Sequence, residues 1–331
     1  MSKLEKVKFP AAVLLLLLTA LGALCCCGGE LSWKDFLQCL GSPSQNEAAA
    51  AVFWQIRLPR IAGAAAAGAL LAAAGCTVQL LFRNPLSSPH VLGSVNTAAL
   101  GAVAVWLLGG TTMAGMLLGS TAGALASLLL LLFIGRGYQQ TGTLLLAGIA
   151  LNAFAASAMS GILFISGEHL EGIIFWLLGG FWRLDWLRSA ILLAGAGVVM
   201  LILLLQRREM NMLYLGERAA AAAGVNTRQV IAVAVLAAAL ATALVVGNCG
   251  VIGFVGLLIP HIARRIYGGE FRNHLLGAGL LGAILLIAAD WAGRCLFAPL
   301  EMPVGILTSL IGAPFFFVLI VMRLKTPGGR Q

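Results

Sequence analysis

From residue 10 to residue 323 the chain alternates apolar runs of about 17 to 25 residues with short polar breaks. A helix rising 1.5 Å per residue needs that length to cross a hydrocarbon core of roughly 30 Å. The runs are apolar throughout rather than at every second residue. Helices, and not the strands of a closed barrel, therefore satisfy their backbone groups in lipid. Mean hydropathy is +0.99, and only 10% of residues are charged. A soluble chain carries about 25% charged residues, so a soluble globular domain is excluded.

The runs predict ten spans at 10–28, 60–82, 91–109, 112–135, 142–166, 189–206, 228–248, 251–267, 273–297 and 303–323. A shorter segment, 169–182, reads as an external interfacial helix. The expected fold is an all-α integral membrane protein, with residues 1–331 forming one transmembrane domain. The first run follows Lys3, Lys6 and Lys8 but has no A-x-A-like site before its cysteines, so it reads as an uncleaved span.

An even number of spans puts both termini on one side. That side carries Lys3, Lys6, Lys8, Arg83, Arg136, Arg207, Arg208, Arg218, Arg228, Arg264, Arg265, Arg272, Arg323, Lys325 and Arg330. The opposite side keeps Lys34, Arg57, Arg60, Arg183, Arg188 and Arg294. Excess Lys and Arg mark cytoplasmic loops, so the termini are predicted to be cytoplasmic. The net charge of +9 thus reports topology and does not call for a nucleic acid.

Gly115, Gly119 and Gly123 repeat at every fourth position, and the second span has Ala-rich faces at Ala64–Ala67 and Ala72–Ala74. Such stripes let helix backbones approach closely in lipid, here within one chain. The seven cysteines are odd in number and lie mostly in or beside apolar runs. Their spacing suggests neither a metal set nor a disulfide framework.

No lysine follows a glycine, so the chain holds no Gly-Lys phosphate loop. It also lacks His-Glu-x-x-His, G-x-S-x-G and a carboxylate pair at membrane depth. An enzymatic role is not expected. Proton- or sodium-coupled carriers bury ionisable relay groups near mid-membrane. The single candidate is Asp290, four residues before Arg294, where an ion pair on one helix face accounts for it.

Six blocks then stand together: RLPR (57–60), GCTVQLLFRNPLSSPHVLG (75–93), LYLGERAAAAAGV (213–225), GFVGLLIPHIARR (253–265), AADWAGR (288–294) and MPVGILTSLIGAPFF (302–316). In that order they resemble, over nearly the whole chain, FecCD-type permeases of bacterial ABC importers for ferric siderophores, haem and cobalamin. The resemblance implies a ten-span subunit of the type II importer fold in the bacterial plasma (inner) membrane. It further implies a homodimer around a central pathway, two ATPase subunits on the cytoplasmic face, and a periplasmic or lipid-anchored substrate-binding protein. ATP and Mg would be used by the ATPase subunits, with no cofactor or metal held by this chain. A metal-oxyanion importer on the same scaffold and an ion-coupled secondary carrier are the alternatives.

The resemblance also assigns residues. Arg57, Arg60 and Arg294 would meet acidic groups of the binding protein at the external mouth. The segment 207–228 would couple to the ATPases through Leu215, Gly216, Glu217, Ala219, Ala220, Ala221 and Gly224. The second and fifth spans would line the pathway, with a cytoplasmic gate formed by Asn84, Leu86, Thr141 and Thr143. Pro85 and Pro89 also make the 83–93 stretch a stiff turn, so Asn84 and Leu86 either gate or only turn. Gln79 and Asn152 either line a wet cavity or bond a neighbouring helix. Phe175, Trp176, Phe181, Trp182 and Trp186 form an external aromatic belt or a substrate contact.

Overall fold

The computed structural model describes residues 5–25, 50–89, 93–109, 112–135, 141–296 and 298–324. The chain runs through α1 (Glu5–Cys25), α2 (Leu58–Leu81), α3 (Ser94–Leu107), α4 (Met113–Gly135), α5 (Thr141–Ile165) and α6 (Leu170–Leu177). It continues through α7 (Trp186–Leu205), α8 (Arg207–Leu215), α9 (Glu217–Ala222), α10 (Thr227–Cys249), α11 (Val255–Tyr267), α12 (Phe271–Cys295) and α13 (Val304–Leu324). Every predicted span coincides with one of these helices, and among the described residues seven are long and apolar enough to cross a membrane.

Two spans are shorter than the sequence suggests. Gly93, at φ 72, starts α3 at Ser94, and α3 has 14 residues. The chain is non-helical between Cys249 and Val255, with Gly250 at φ 73 and Phe254 at φ 64. The 13 residues of α11 rise about 20 Å, short of a full crossing.

Contacts between helix ends agree with strict alternation of direction. At the end holding the N-terminus of α1, here the basic end, Lys8 Nζ donates to Ile266 O at 2.6 Å and Phe9 packs on Tyr267. At the far end, Arg57 donates to Leu24 O at 2.6 Å and Trp186 Nε1 to Trp54 O at 2.9 Å. Cys295, also at the far end, is disulfide-bonded, whereas Cys76 and Cys249 are free thiols. The spacing suggests no disulfide framework, and the bond at Cys295 shows that spacing alone does not say which cysteines meet in the fold. A disulfide belongs in an oxidising compartment, which agrees with the charge-based sidedness.

The helix at the centre is α2. Of the apolar window in Val52–Leu81, 83% is buried, against 11% for the window in α5. It packs against α12, α7, α10 and α11. Its alanines and glycines make this possible, since lipid supplies no hydrophobic drive and helices associate through close van der Waals contact. A Cβ on Gly68 would run into the Gly282 carbonyl of α12, and one on Gly75 into the Gly256 carbonyl of α11. The 115–123 glycine stripe works within the chain as expected, with Gly119 against Gly101 and Gly123 against Thr97 of α3.

Enclosure of α2 limits what the second span can contribute to a pathway. Most of the helix is covered within the subunit, and a single half-buried stripe, Leu58, Ala62, Ala65 and Ala69, is the flank it can offer. The fifth span does present an open apolar face, including Leu146, Ile149, Phe154 and Phe164.

Gly68→Val is expected to lower the thermal midpoint of the detergent-purified protein, because the side chain has only backbone to push against. Overpacking of this kind costs about 1–3 kcal/mol. Gly197→Ala, where an added Cβ meets nothing within 4 Å, should leave the midpoint unchanged.

Candidate functional site

At the far end α1, α2, α12 and the 298–303 segment converge on a cluster of charge. Arg60, one turn into α2, grips Asp290 of α12 with Nε at 3.0 Å and Nη2 at 2.8 Å from Oδ1. Its remaining nitrogen, Nη1, reaches Glu301 Oε2 at 2.9 Å. The predicted pair between Asp290 and Arg294 is present at 3.2 Å. Arg294 also donates to Ala23 O at 3.2 Å, beside the Leu24 carbonyl that Arg57 holds. These carbonyls belong to the last turn of α1, which has no intrahelical donors and the negative end of the helix dipole.

The three arginines are thus brought together, as the resemblance implies, but not on an open rim. Arg57, Arg60 and Arg294 are 8%, 7% and 9% exposed. The partners that enclose them are the terminal carbonyls of α1 and the Asp290 carboxylate, none of which is visible in local sequence apart from the Asp290–Arg294 spacing. Glu301, absent from the sequence-based set, is the exposed member, with its side chain 46% open to solvent. Three guanidiniums face two carboxylates here.

The aromatic group nearby divides in two. Trp176 and Phe181 are buried, so neither forms an interfacial belt or contacts a substrate there, whereas Phe175 and Trp186 are exposed. Half-buried Arg183 sits over the Trp106 ring and donates to Met116 Sδ at 3.6 Å. Burial, with Arg188 adding to it, pushes its guanidinium below the ordinary value.

At the basic end α8 and α9 form a bent pair. Gly216 joins them at φ 125, ψ 148, a conformation that strains any residue with a Cβ. Met210 and Leu213 bury one side of α8, and Ala220 buries one residue of α9. Leu215, Ala219, Ala221 and Gly224 remain exposed, and Glu217 is half-buried in the first turn of α9. A run of alanines therefore projects as a thin, knob-like surface.

The 83–89 turn abuts this pair. Arg83 adopts φ 46, and its guanidinium lies over Gly216. Asn84 spends its side-chain oxygen on the Leu86 N–H at 3.0 Å, and its carbonyl accepts from the Ser87 N–H at 3.0 Å. Leu86 lines a shallow pocket with Pro85, Leu257, His261, Phe315 and Phe316. Thr141 and Thr143 lie in the first turn of α5, and their side chains fall outside the described residues. Gln79 donates to Leu257 O at 3.0 Å, so it bonds a neighbouring helix.

Inside the basic end lies a network that the sequence does not announce. Asn211 Oδ1 accepts the Phe271 N–H at 2.9 Å, and Tyr214 Oη stands 3.4 Å from His274 Nδ1. His274 Nε2 lies 2.8 Å from Pro260 O, and Arg264 covers the Tyr214 ring at 4.9 Å. Burial pushes the Tyr214 phenol up to about 12, so it is a neutral hydroxyl at physiological pH. No group of three or more His, Cys, Asp or Glu side chains able to hold a metal occurs among the described residues.

Membrane-length helices around an alanine- and glycine-rich centre, with a bent helix pair projecting at the basic end, define a polytopic membrane protein. The chain belongs to the FecCD transport family, which it matches over residues 14–322. It is 37% identical over 311 residues to the vitamin B12 import system permease protein BtuC of Salmonella typhi, covering 93% of each chain. It is 36% identical over 326 residues to the hemin transport system permease protein HmuU of Yersinia pestis, covering 96% of each. A solved ABC transporter assigned to the metal-chelate type, in an inward-facing conformation, superposes with a TM-score of 0.85 at 31% identity, covering 96% of this chain and 99% of that one. The protein is therefore a multi-pass permease of the ABC importer class, whose members work with ATPase and substrate-binding partners.

Asp290→Asn is expected to destabilise the protein strongly, because it leaves two buried guanidiniums short of a counter-charge. Breaking a buried pair in this way costs about 3–5 kcal/mol. Glu301→Gln, at an exposed pair, should cost no more than about 1 kcal/mol. Thermal unfolding followed by tryptophan fluorescence checks the ordering, and equal midpoints for the two variants would refute it.

Proposed function

We propose that this subunit moves a metal chelate, haem or a corrinoid across a bacterial inner membrane, as a homodimer powered by two ATPase subunits at its basic, cytoplasmic end. The observation that carries the proposal is the α8–α9 pair. Its alanine surface, exposed at Ala219 and Ala221 and turned outward by Gly216, suits a narrow cleft in a partner. Arg83, packed over Gly216, ties that surface to the turn bearing Asn84 and Leu86. Those two residues, with Thr141 and Thr143 of the second subunit's or the same subunit's α5, form the proposed cytoplasmic gate, in which apolar side chains such as Leu86 would exclude water. The open face of α5 supplies the pathway wall or the dimer contact.

The relatives support the substrate class, since their names specify vitamin B12 and hemin. ATP and Mg belong to the ATPase subunits in this reading, and the chain itself is not an enzyme and carries no cofactor. At the far end the excess of guanidinium over carboxylate favours an acidic face on the binding protein. Because the arginines are buried and Glu301 is the exposed member, that face would reach the positive charge only by displacing Glu301 from Arg60. Charge reversal at Arg60 therefore tests stability and docking together, and Glu301 is the cleaner position.

Proteoliposomes holding the permease, its ATPase subunits and its binding protein should take up cyanocobalamin, haemin or a ferric siderophore only with ATP inside the compartment that holds the ATPases. Uptake driven by an ion gradient without ATPase subunits would establish a secondary carrier instead. Ala221→Trp, at an exposed position, should abolish ATPase co-purification and coupled turnover while the permease still inserts and unfolds at its normal temperature. Full coupling in this variant would remove α9 from the docking surface.

A further inference from the structure

The two charged and polar networks described above sit at opposite ends of one helix. At the basic end, Asn211 and Tyr214 of α8, three residues apart, meet Phe271 and His274 of α12, also three residues apart. The first rung is 2.9 Å long and the second 3.4 Å. Equal spacing on both helices makes this a two-rung ladder, fixing rotation of α8 against α12 as well as distance. Pro260 O is an acceptor only, so the Nε2 that meets it at 2.8 Å carries the imidazole proton. Nδ1 is then the acceptor for the Tyr214 hydroxyl, and the side chain is pinned from both sides.

Sixteen residues farther along α12, about 24 Å away, Asp290 holds Arg60 of α2 and Arg294. Between the two sites α12 contains no proline, whereas α1, α11 and α13 contain Pro10, Pro260 and Pro314. Its glycines are pressed against neighbours, Gly277 on Tyr267 and Gly282 on Gly68, so they do not act as hinges. A helix pinned at both ends and unbroken between them moves as one body. At the far end the Asp290 contacts are buried, while the Arg60–Glu301 contact is half open to water and is the one that can exchange.

We propose that α12 is a transmission rod, in which the Asn211 and Tyr214 rungs carry a displacement of the α8–α9 pair to the Arg60–Asp290–Glu301 cluster at the opposite membrane face. This rests on the reading that α8–α9 docks the ATPase subunits, and it assigns Asn211, Tyr214 and His274 as positioning residues. Rigid elements linked by discrete contacts are the physical means by which sites this far apart are coupled.

The test uses the complete permease–ATPase complex in nanodiscs, with p-trifluoromethylphenylalanine placed at Leu296, the exposed residue that ends α12. Trapping the ATPases with ATP and vanadate should shift the fluorine resonance in the parent complex. The Asn211→Ala, Tyr214→Phe double variant should retain its ATPase subunits but lose that shift. Asn211→Asp paired with native Tyr214 keeps an acceptor for the Phe271 N–H and should retain the shift. A resonance that moves equally in the double variant, or that does not move in the parent, overturns the transmission role. Loss of ATPase subunits from the double variant alone also overturns it, since the rungs would then serve docking. A parent permease that never retains ATPase subunits overturns the importer reading itself, and the rod with it.

Discussion

Close backbone contact between α2 and α12 is the constraint on which the rest of the structure depends. In lipid no hydrophobic force draws helices together, so association rests on van der Waals contact and on buried polar bonds. Gly68 and Gly282 remove the side chains that would hold these two helices apart, and Gly75 does the same between α2 and α11. Only with α2 enclosed at this distance can Arg60 lie flat against Asp290 with two of its nitrogens engaged. Packing and charge are therefore one arrangement: widening the glycine contact would pull the guanidinium from its carboxylate.

Burying arginine in a membrane protein is costly, and the far end shows how the cost is offset. Each of the three guanidiniums meets a carboxylate, a helix-terminal carbonyl or both. The carbonyls of Ala23 and Leu24 are groups that α1 cannot satisfy itself. One set of contacts thus neutralises cations and caps a helix end, joining α1 to the α2–α12 core. Glu301 differs from the other members in being exposed, so the cluster has a rigid floor and one replaceable edge.

Sequence reading recovered the helices well, because hydrocarbon thickness sets a minimum length that composition reports directly. It overextended α3 and α11, where the breaks depend on positive φ at Gly93, Gly250 and Phe254 and leave little hydropathy signal. The bend between α8 and α9 was legible, since Gly216 stands between a polar segment and an alanine run. Burial of Arg57, Arg60 and Arg294 was not legible, because their partners lie up to 271 residues away in the chain. The same holds for Tyr214 and His274, separated by 60 residues, and for the enclosure of α2. Local pattern predicts which residue types reach an end of a helix, but only the fold decides which ends meet.

These long-range contacts bear on how the proposed docking of ATPase subunits would act on the permease. If α8–α9 docks the ATPase subunits as proposed, a displacement there has two routes out. One passes through Arg83 over Gly216 to the Asn84–Leu86 turn, a few ångströms away. The other passes through the Asn211 and Tyr214 rungs into α12 and reaches the far end. One route starts at the Arg83 contact over Gly216 and the other in α8 a few residues before it, so in the proposed coupling one rotation of the pair would act on the two membrane faces together. Alternating access requires that opening at one face be accompanied by closure at the other. In the proposed coupling, a hinge at Gly216 feeding a near turn and a long rod would meet that requirement.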